Sequence, residues 1–229
     1  MAAGEGEPIH EGRNVVRGFT LCGQRVAVKR FKPVNIAQQV AYTTWRSTKA
    51  ERAYRYAALL RERGFSTPHE MAYIKCYSHL MFRVGYFICQ RVDDPPAYPV
   101  LVDAEAFDRD MASAIGRLLA RMHRAGVLHG DLNLGNFLYR RTPDGGYAFQ
   151  LIDTNRSTFT DGLPSRDVCL YNLRTLTHRR DLLTHILTVY AQDMGWDVQD
   201  TIAQVMTILS RFEAKRERKY RWKRLLHIG

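Results

Sequence analysis

The first ninety residues alternate apolar and polar positions with the period of strands, interrupted once by the period of a helix. Residues 13–21 and 24–31 are β-rich runs on either side of Cys22-Gly23, a spacing that predicts a hairpin. Thr48 then precedes Glu51 by three residues, a capping-box signature. Ala50, Ala53, Tyr54, Ala57 and Leu60 follow at helical spacing, and Gly64 supplies a natural stop. Ser66-Thr67-Pro68 breaks the chain before two further strand-like runs, 71–77 and 82–92. Asp93-Asp94-Pro95-Pro96 has the composition of a linker. Beyond it helical patterns dominate. Phe107, Met111, Ile115, Leu118, Leu119 and Met122 form one apolar stripe ending near Gly126. A short strand is expected over 147–152, and further helices around 168–192 and 201–212. The order predicts an α+β chain of two lobes: a small β-rich lobe with one helix over 1–92, and a mainly helical lobe over 93–229. It departs from the regular strand–helix alternation of a doubly wound sheet.

Composition adds little until charge is counted. With 45% apolar and 25% charged residues, the 229-residue chain has enough apolar material for a core and no mark of disorder. No apolar run approaches the ~20 residues that span a bilayer. Residues 1–8 have neither a basic flank nor an apolar stretch, so no secretory signal is read there, and a cytoplasmic location is expected. Cys22, Cys76, Cys89 and Cys169 are scattered and read as reduced thiols rather than a metal cluster or disulfide framework. The net charge of +11, however, implies an anionic partner. Eight Lys and Arg against Glu213 and Glu217 lie within 211–224, so more than half of the excess belongs to the C-terminal tail.

The chemistry concentrates in three segments. In Leu128-His129-Gly130-Asp131-Leu132-Asn133-Leu134-Gly135-Asn136-Phe137-Leu138, polar groups sit between apolar anchors. Phosphoryl transfer to a hydroxyl needs a carboxylate to orient the acceptor and take its proton, and a separate ligand for Mg²⁺. Asp131 and Asn136, five positions apart, match the Asp and Asn of a kinase catalytic loop. His129 is expected to pack and bond the backbone. Asp153 ends a short apolar strand 22 residues after Asp131, where a kinase metal-binding aspartate would stand. Asn155 replaces the usual glycine and is expected to tolerate its left-handed backbone. Val26-Ala27-Val28-Lys29 resembles the strand whose lysine reaches nucleotide phosphates. Glu51 is the candidate acidic partner of Lys29, although it also suits a purely structural cap. No glycine-rich loop precedes Lys29; the turn at Glu11-Gly12-Arg13-Asn14 is nearest, with Arg13 a candidate phosphate contact. A P-loop signature is absent.

Together His129–Leu138, Ile152–Arg156 and Val28-Lys29-Arg30-Phe31-Lys32 resemble the bacterial lipopolysaccharide kinases, protein-kinase-like enzymes that phosphorylate Kdo or heptose of the lipid A–core. The segments 47–54 and 64–68 extend the resemblance over most of 10–175. It implies a protein-kinase-like fold, ATP and Mg²⁺ as cosubstrates, and a sugar hydroxyl on an anionic glycolipid as acceptor. By the same resemblance Asp131 is the base, Asn136 and Asp153 the metal ligands, and Lys29 the phosphate-positioning residue. Asn133 stands where protein kinases usually carry lysine. No Ala-Pro-Glu follows Asp153, and few residues separate it from a helix near Ser165, leaving little room for a peptide platform.

Two other readings stay open: a small atypical serine/threonine protein kinase of the RIO or Bud type, and a catalytically silent kinase-like binding module. The tail 211–224, with Tyr220 and Trp222 among its cations, suits contact with the inner face of the inner membrane. It also suits nucleic acid, and a solvated helix end with two packed aromatics is the plainer reading.

Overall fold

The computed structural model describes residues 5–225, with side chains as far as residue 222. Residues 1–4, part of the segment read for a secretory signal, lie outside the described residues, as do the side chains of Lys223 and Arg224 in the tail. The chain forms two compact units. One takes the chain up to Pro95 together with Phe149–Ser157; the other takes Pro96–Ala148 and the chain from Thr158 onward.

The first unit is built on a five-stranded antiparallel sheet ordered β1-β2-β3-β5-β4: β1 Glu7–Glu11, β2 Val15–Leu21, β3 Gln24–Arg30, β4 Glu70–Ser78 and β5 Met81–Gln90. The β2–β3 hairpin turns on Cys22 and Gly23, both at positive φ (50° and 77°), the geometry that two-residue hairpins favour. Val26 and Val28 point to the core, which leaves Lys29 on the opposite face with Ala27. Two helices accompany the sheet, not the single one that periodicity predicts: α1 Ile36–Thr44 and α2 Lys49–Glu62. Thr48 caps α2 by accepting from the Glu51 N–H at 3.2 Å, and Ala50, Ala53, Ala57 and Leu60 bury its inner stripe.

The expected division at 92/93 moves to 95/96, and residues 149–157 join the first unit. Hydrogen bonds explain both. Asp93 is held by Arg25 at 2.6 Å and by Arg91 at 2.8 Å, and Arg91 also pairs with Glu7. Downstream, Leu151 N–H donates to the Ser66 carbonyl at 2.9 Å, and the buried Thr67 hydroxyl donates to the Leu151 carbonyl at 2.7 Å.

The second unit is mainly helical. α3 Arg109–Arg124 buries Met111, Ile115, Leu119 and Met122 along the stripe predicted for it. It ends at Gly126, whose φ of +68° and contact with Thr160 exclude a side chain: an added Cβ would lie 2.2 Å from the Thr160 carbonyl. The short strand β6 Val127–Leu128 follows and pairs with β9 Thr158–Phe159. Between them in sequence, β7 Phe137–Arg141 is followed by a turn at Thr142–Gly146 and by β8 Tyr147–Leu151, which begins in the second unit and passes into the first at Phe149. α4 Arg166–Leu173, α5 Arg180–Met194 and α6 Val198–Leu225 complete the unit. α6 extends well past residue 212. Its buried positions, Thr201, Val205 and Leu209, stop before the cationic tail. Tyr220 and Trp222 are exposed there, so the aromatics of the tail are not packed. No helix among the described residues is long and apolar enough to cross a membrane.

Candidate active site

In the first unit, Lys29 and Asp153 meet. Lys29 Nζ lies 2.8 Å from Asp153 Oδ1, both side chains being largely buried. Asp153 follows β8 and takes a left-handed conformation (φ 57°, ψ 41°) before a single 3-10 turn, Thr154–Arg156. The left-handed residue is thus the aspartate and not Asn155, which lies inside that turn. Asn155 instead donates from Nδ2 to Asp153 Oδ1 at 2.5 Å, holding the carboxylate in place. Such a backbone costs a non-glycine residue about 1 kcal/mol, and strain of this kind gathers where an orientation is needed.

Glu51 does not meet Lys29 in this structure. Its carboxylate pairs with Lys75 Nζ on β4 at 2.7 Å and accepts from the Ser47 hydroxyl at 3.3 Å. Burial opposes ionisation of Glu51, but the Lys75 ammonium and the Thr48 and Ser47 bonds outweigh it and hold the carboxyl below its usual range. The register of β4 on β5 presents Lys75 to α2, and that pairing is invisible to local sequence reading.

Around Asp153 collect cations that sequence reading passes over. Arg52 donates from Nε to the Asn155 carbonyl at 3.1 Å and from Nη1 to the Ser47 carbonyl at 2.5 Å, tying α2 to the turn after Asp153. Lys49, at the first position of α2, is pushed below the usual lysine range by burial and then by the charges of Arg13, Arg156 and Arg52, while Asp153 pulls the other way. Arg13, the one cation of this group singled out from sequence, therefore stands within electrostatic reach of Lys49. Lys29 and Lys49 both act on Asp153, and Arg13, Arg52 and Arg156 lie within electrostatic reach of Lys49, an excess of positive charge suited to a polyanion. The available signal was Lys49 and Arg52, one and four positions after the Thr48 cap.

The second unit holds the other candidates. His129 is buried, and its Nδ1 accepts from the Asp131 N–H at 3.2 Å, the backbone role expected of it. Asn133 Nδ2 and Asn136 Nδ2 both donate to the Asp131 carbonyl, at 3.2 and 2.8 Å, and Asn133 Oδ1 accepts from the Gly135 N–H at 3.0 Å. These bonds fix the backbone of Asp131. Its carboxylate has no hydrogen-bond or ion-pair partner among the described residues, and neither has Asn136 Oδ1. A loop fixed at its backbone and free at its functional oxygens can accept a proton and donate to a hard cation.

Behind this loop runs a buried relay. Asn172 Nδ2 on α4 donates to the His129 carbonyl at 2.9 Å, and Asn172 Oδ1 accepts from His123 Nε2 at 3.1 Å. That leaves His123 Nδ1 to accept from the Tyr190 hydroxyl at 2.8 Å. Burial pushes His123 down to about 4, so the ring is neutral and the tautomer follows from its partners. Sequence reading found neither Asn172 nor His123, because nothing local links residues 43 and 49 positions from their partners.

A β-rich unit carrying a Lys–Asp pair and a helical unit carrying a His-Gly-Asp loop define a protein-kinase-like fold. A family model described as the lipopolysaccharide kinase (Kdo/WaaP) family matches residues 29–188, and the chain belongs to that family. Among curated relatives, an EKC/KEOPS complex subunit BUD32 of Cryptococcus neoformans var. neoformans serotype D is 36% identical over 89 residues, covering 36% of this chain and 31% of its own. A 3-deoxy-D-manno-octulosonic acid kinase of Vibrio vulnificus is 25% identical over 97 residues, covering 42% of this chain and 41% of its own. The chain thus spans less than half the length of these relatives. Among solved structures, WaaP in complex with acyl carrier protein superposes with a TM-score of 0.61 at 18% identity, covering 94% of this chain and 89% of that one. That likeness bears out the mixed α+β, kinase-like architecture.

Proposed function

We propose that this chain is an ATP-dependent kinase that phosphorylates a sugar hydroxyl, of Kdo or heptose, on lipopolysaccharide lipid A–core. Family membership supports the reaction class. The observation that carries the site is the free Asp131 carboxylate on a backbone held by Asn133, Asn136 and Asn172. Asp131 orients the acceptor hydroxyl and takes its proton as the new O–P bond forms and the bond to the departing ADP oxygen breaks. Lys29, released from Asp153, positions the nucleotide phosphates, with Arg13 as a further contact. Lys49 and Arg156 add positive charge beside them.

Asp153 and Asn136 are the magnesium ligands in this reading. Both offer oxygen, the donor a hard cation requires. No cluster of three or more His, Cys, Asp or Glu exists among the described residues, so the remaining ligands would come from phosphate and water. Magnesium supplies charge neutralisation on the triphosphate. Glu51 keeps a structural role through Lys75 unless nucleotide binding exchanges the two lysines.

The match to a BUD32 subunit favours a second reading, an atypical protein kinase. Only twelve residues separate Asp153 from Arg166 at the start of α4, which leaves little room for a peptide platform and weighs toward a sugar acceptor. Purified chain incubated with labelled ATP, magnesium and lipid A–core decides between them. Label on the glycolipid supports the sugar kinase; label on protein alone supports the second reading. The tail of α6 is proposed as a peripheral contact to the inner-membrane surface or to another polyanion.

A further inference from the structure

α1 differs in kind from the other helices. Its nine residues, Ile-Ala-Gln-Gln-Val-Ala-Tyr-Thr-Thr, carry no charge, and only Tyr42 is buried. Ile36 and Val40, one turn apart, are 76% and 39% exposed, and Trp45 just after the helix is 76% exposed. An isolated exposed apolar residue needs no explanation; a whole uncharged helix face does. The β4–β5 turn enlarges the patch. There Leu80 is 90% exposed, carried on a tip where His79 and Leu80 both have positive φ. Phe82, two residues on, donates its N–H to Thr43 Oγ1 at 2.9 Å and packs edge-on against Tyr42, so the tip adjoins α1.

Charge selects the partner. Residues 31–50 and 71–92 contain six cations and no acid; Lys75 pairs with Glu51, Arg91 with Glu7 and Asp93, and Lys49 belongs with the cations near Asp153, which leaves Lys32, Arg46 and Arg83. Arg83 reaches Gln39 on α1 at 3.5 Å, and Arg46 lies over the Tyr42 ring at 5.9 Å, so cations rim the apolar face. A second copy of the chain docked symmetrically on this face would set these cations against their own equivalents. An anionic surface satisfies Lys32, Arg46 and Arg83, which have no ion-pair partner among the described residues. Apolar side chains with a tryptophan, bordered by Lys and Arg, fit the acyl–headgroup boundary of a bilayer.

We propose that the outer face of α1, with Trp45 and Leu80, docks the first unit onto an anionic lipid bilayer. Ile36, Trp45 and Leu80 belong neither to the cationic tail of α6 nor to the candidate active-site residues. Full chain is sedimented with vesicles of phosphatidylethanolamine and phosphatidylglycerol, without nucleotide. The triple variant Ile36→Gln, Trp45→Gln, Leu80→Gln is expected to lower partitioning about tenfold or more. Leu21→Gln, an equally apolar change at the exposed β2–β3 turn, is expected to leave it unchanged, and both proteins should melt like the parent. Parental partitioning by the triple variant overturns the proposal. So does equal binding to pure phosphatidylcholine, or a lipid-free self-association, seen by light scattering, that the triple variant abolishes. Because binding is read without turnover, each of these outcomes leaves the phosphotransfer reading untouched.

Discussion

Lys29 gives its ammonium to Asp153 and Glu51 gives its carboxylate to Lys75, an exchange of partners that decides what each substitution should do. Sequence reading singles out Lys29, Asp131, Asn136 and Asp153, the residues of the proposed site, because each sits in a short motif with its own spacing. The partner of Glu51 is not, since it depends on how β4 registers against β5. Glu51→Gln and Lys75→Met should each cost about 1 kcal/mol of stability, and the double variant less than their sum by about 0.5–1 kcal/mol, the scale of a partly exposed pair. Lys29→Met should instead lose turnover by about 100-fold or more with little change in urea midpoint. Additive losses from Glu51 and Lys75 would show that their pairing contributes nothing. The left-handed residue is another matter of residue chemistry. Asn155 was the natural candidate for it, yet the strain falls on Asp153 because Asn155 is engaged within the turn and bonds the carboxylate from there.

At the scale of elements, α2 announces itself by its cap and buried stripe and α3 by its stripe, whereas α1 does not. Its apolar residues Ile36 and Val40 face outward, so no core-facing period marks it, and only the Asn35 cap on the Gln38 N–H betrays a start. The relay from α5 and α3 through α4 to the His129 carbonyl is equally hidden, being made by residues far apart in the chain. Asn172→Leu should lower kcat about tenfold while leaving the KM for ATP nearly unchanged, as expected of a positioning residue. Loss of nucleotide affinity without loss of kcat would contradict that role. The same relay predicts a pH dependence. His123 is held at about 4 when folded and returns to about 6.5 when unfolded, so the unfolded chain binds the extra proton. Its contribution is complete above about pH 6.5 and is lost as pH falls toward 4, about 3 kcal/mol over the window. Urea unfolding at about pH 7.5 and about pH 5 should differ by about 2 kcal/mol more in the parent than in His123→Gln.

Over the whole molecule, charge and chain order carry most of what sequence reading recovers: a β-rich unit, a helical unit and a cationic end. What it misses is that the strand leading to Asp153 returns to the first unit, because Ser66 and Thr67 capture Leu151 across more than eighty residues. The cationic end is a continuation of α6 in which no residue after Leu209 is buried among the described residues. Removing residues 214–229 should therefore shift the melting temperature by only about 2 °C or less, yet weaken sedimentation with anionic vesicles at low salt. Unchanged sedimentation would exclude the tail from membrane contact. The central claim concerns Asp131. Labelled ATP, magnesium and lipid A–core should give labelled glycolipid with the parent chain. With Asp131→Ala, which removes only the free carboxylate, label should disappear while ATP still binds and the melting temperature holds. Full label transfer by Asp131→Ala would contradict the account.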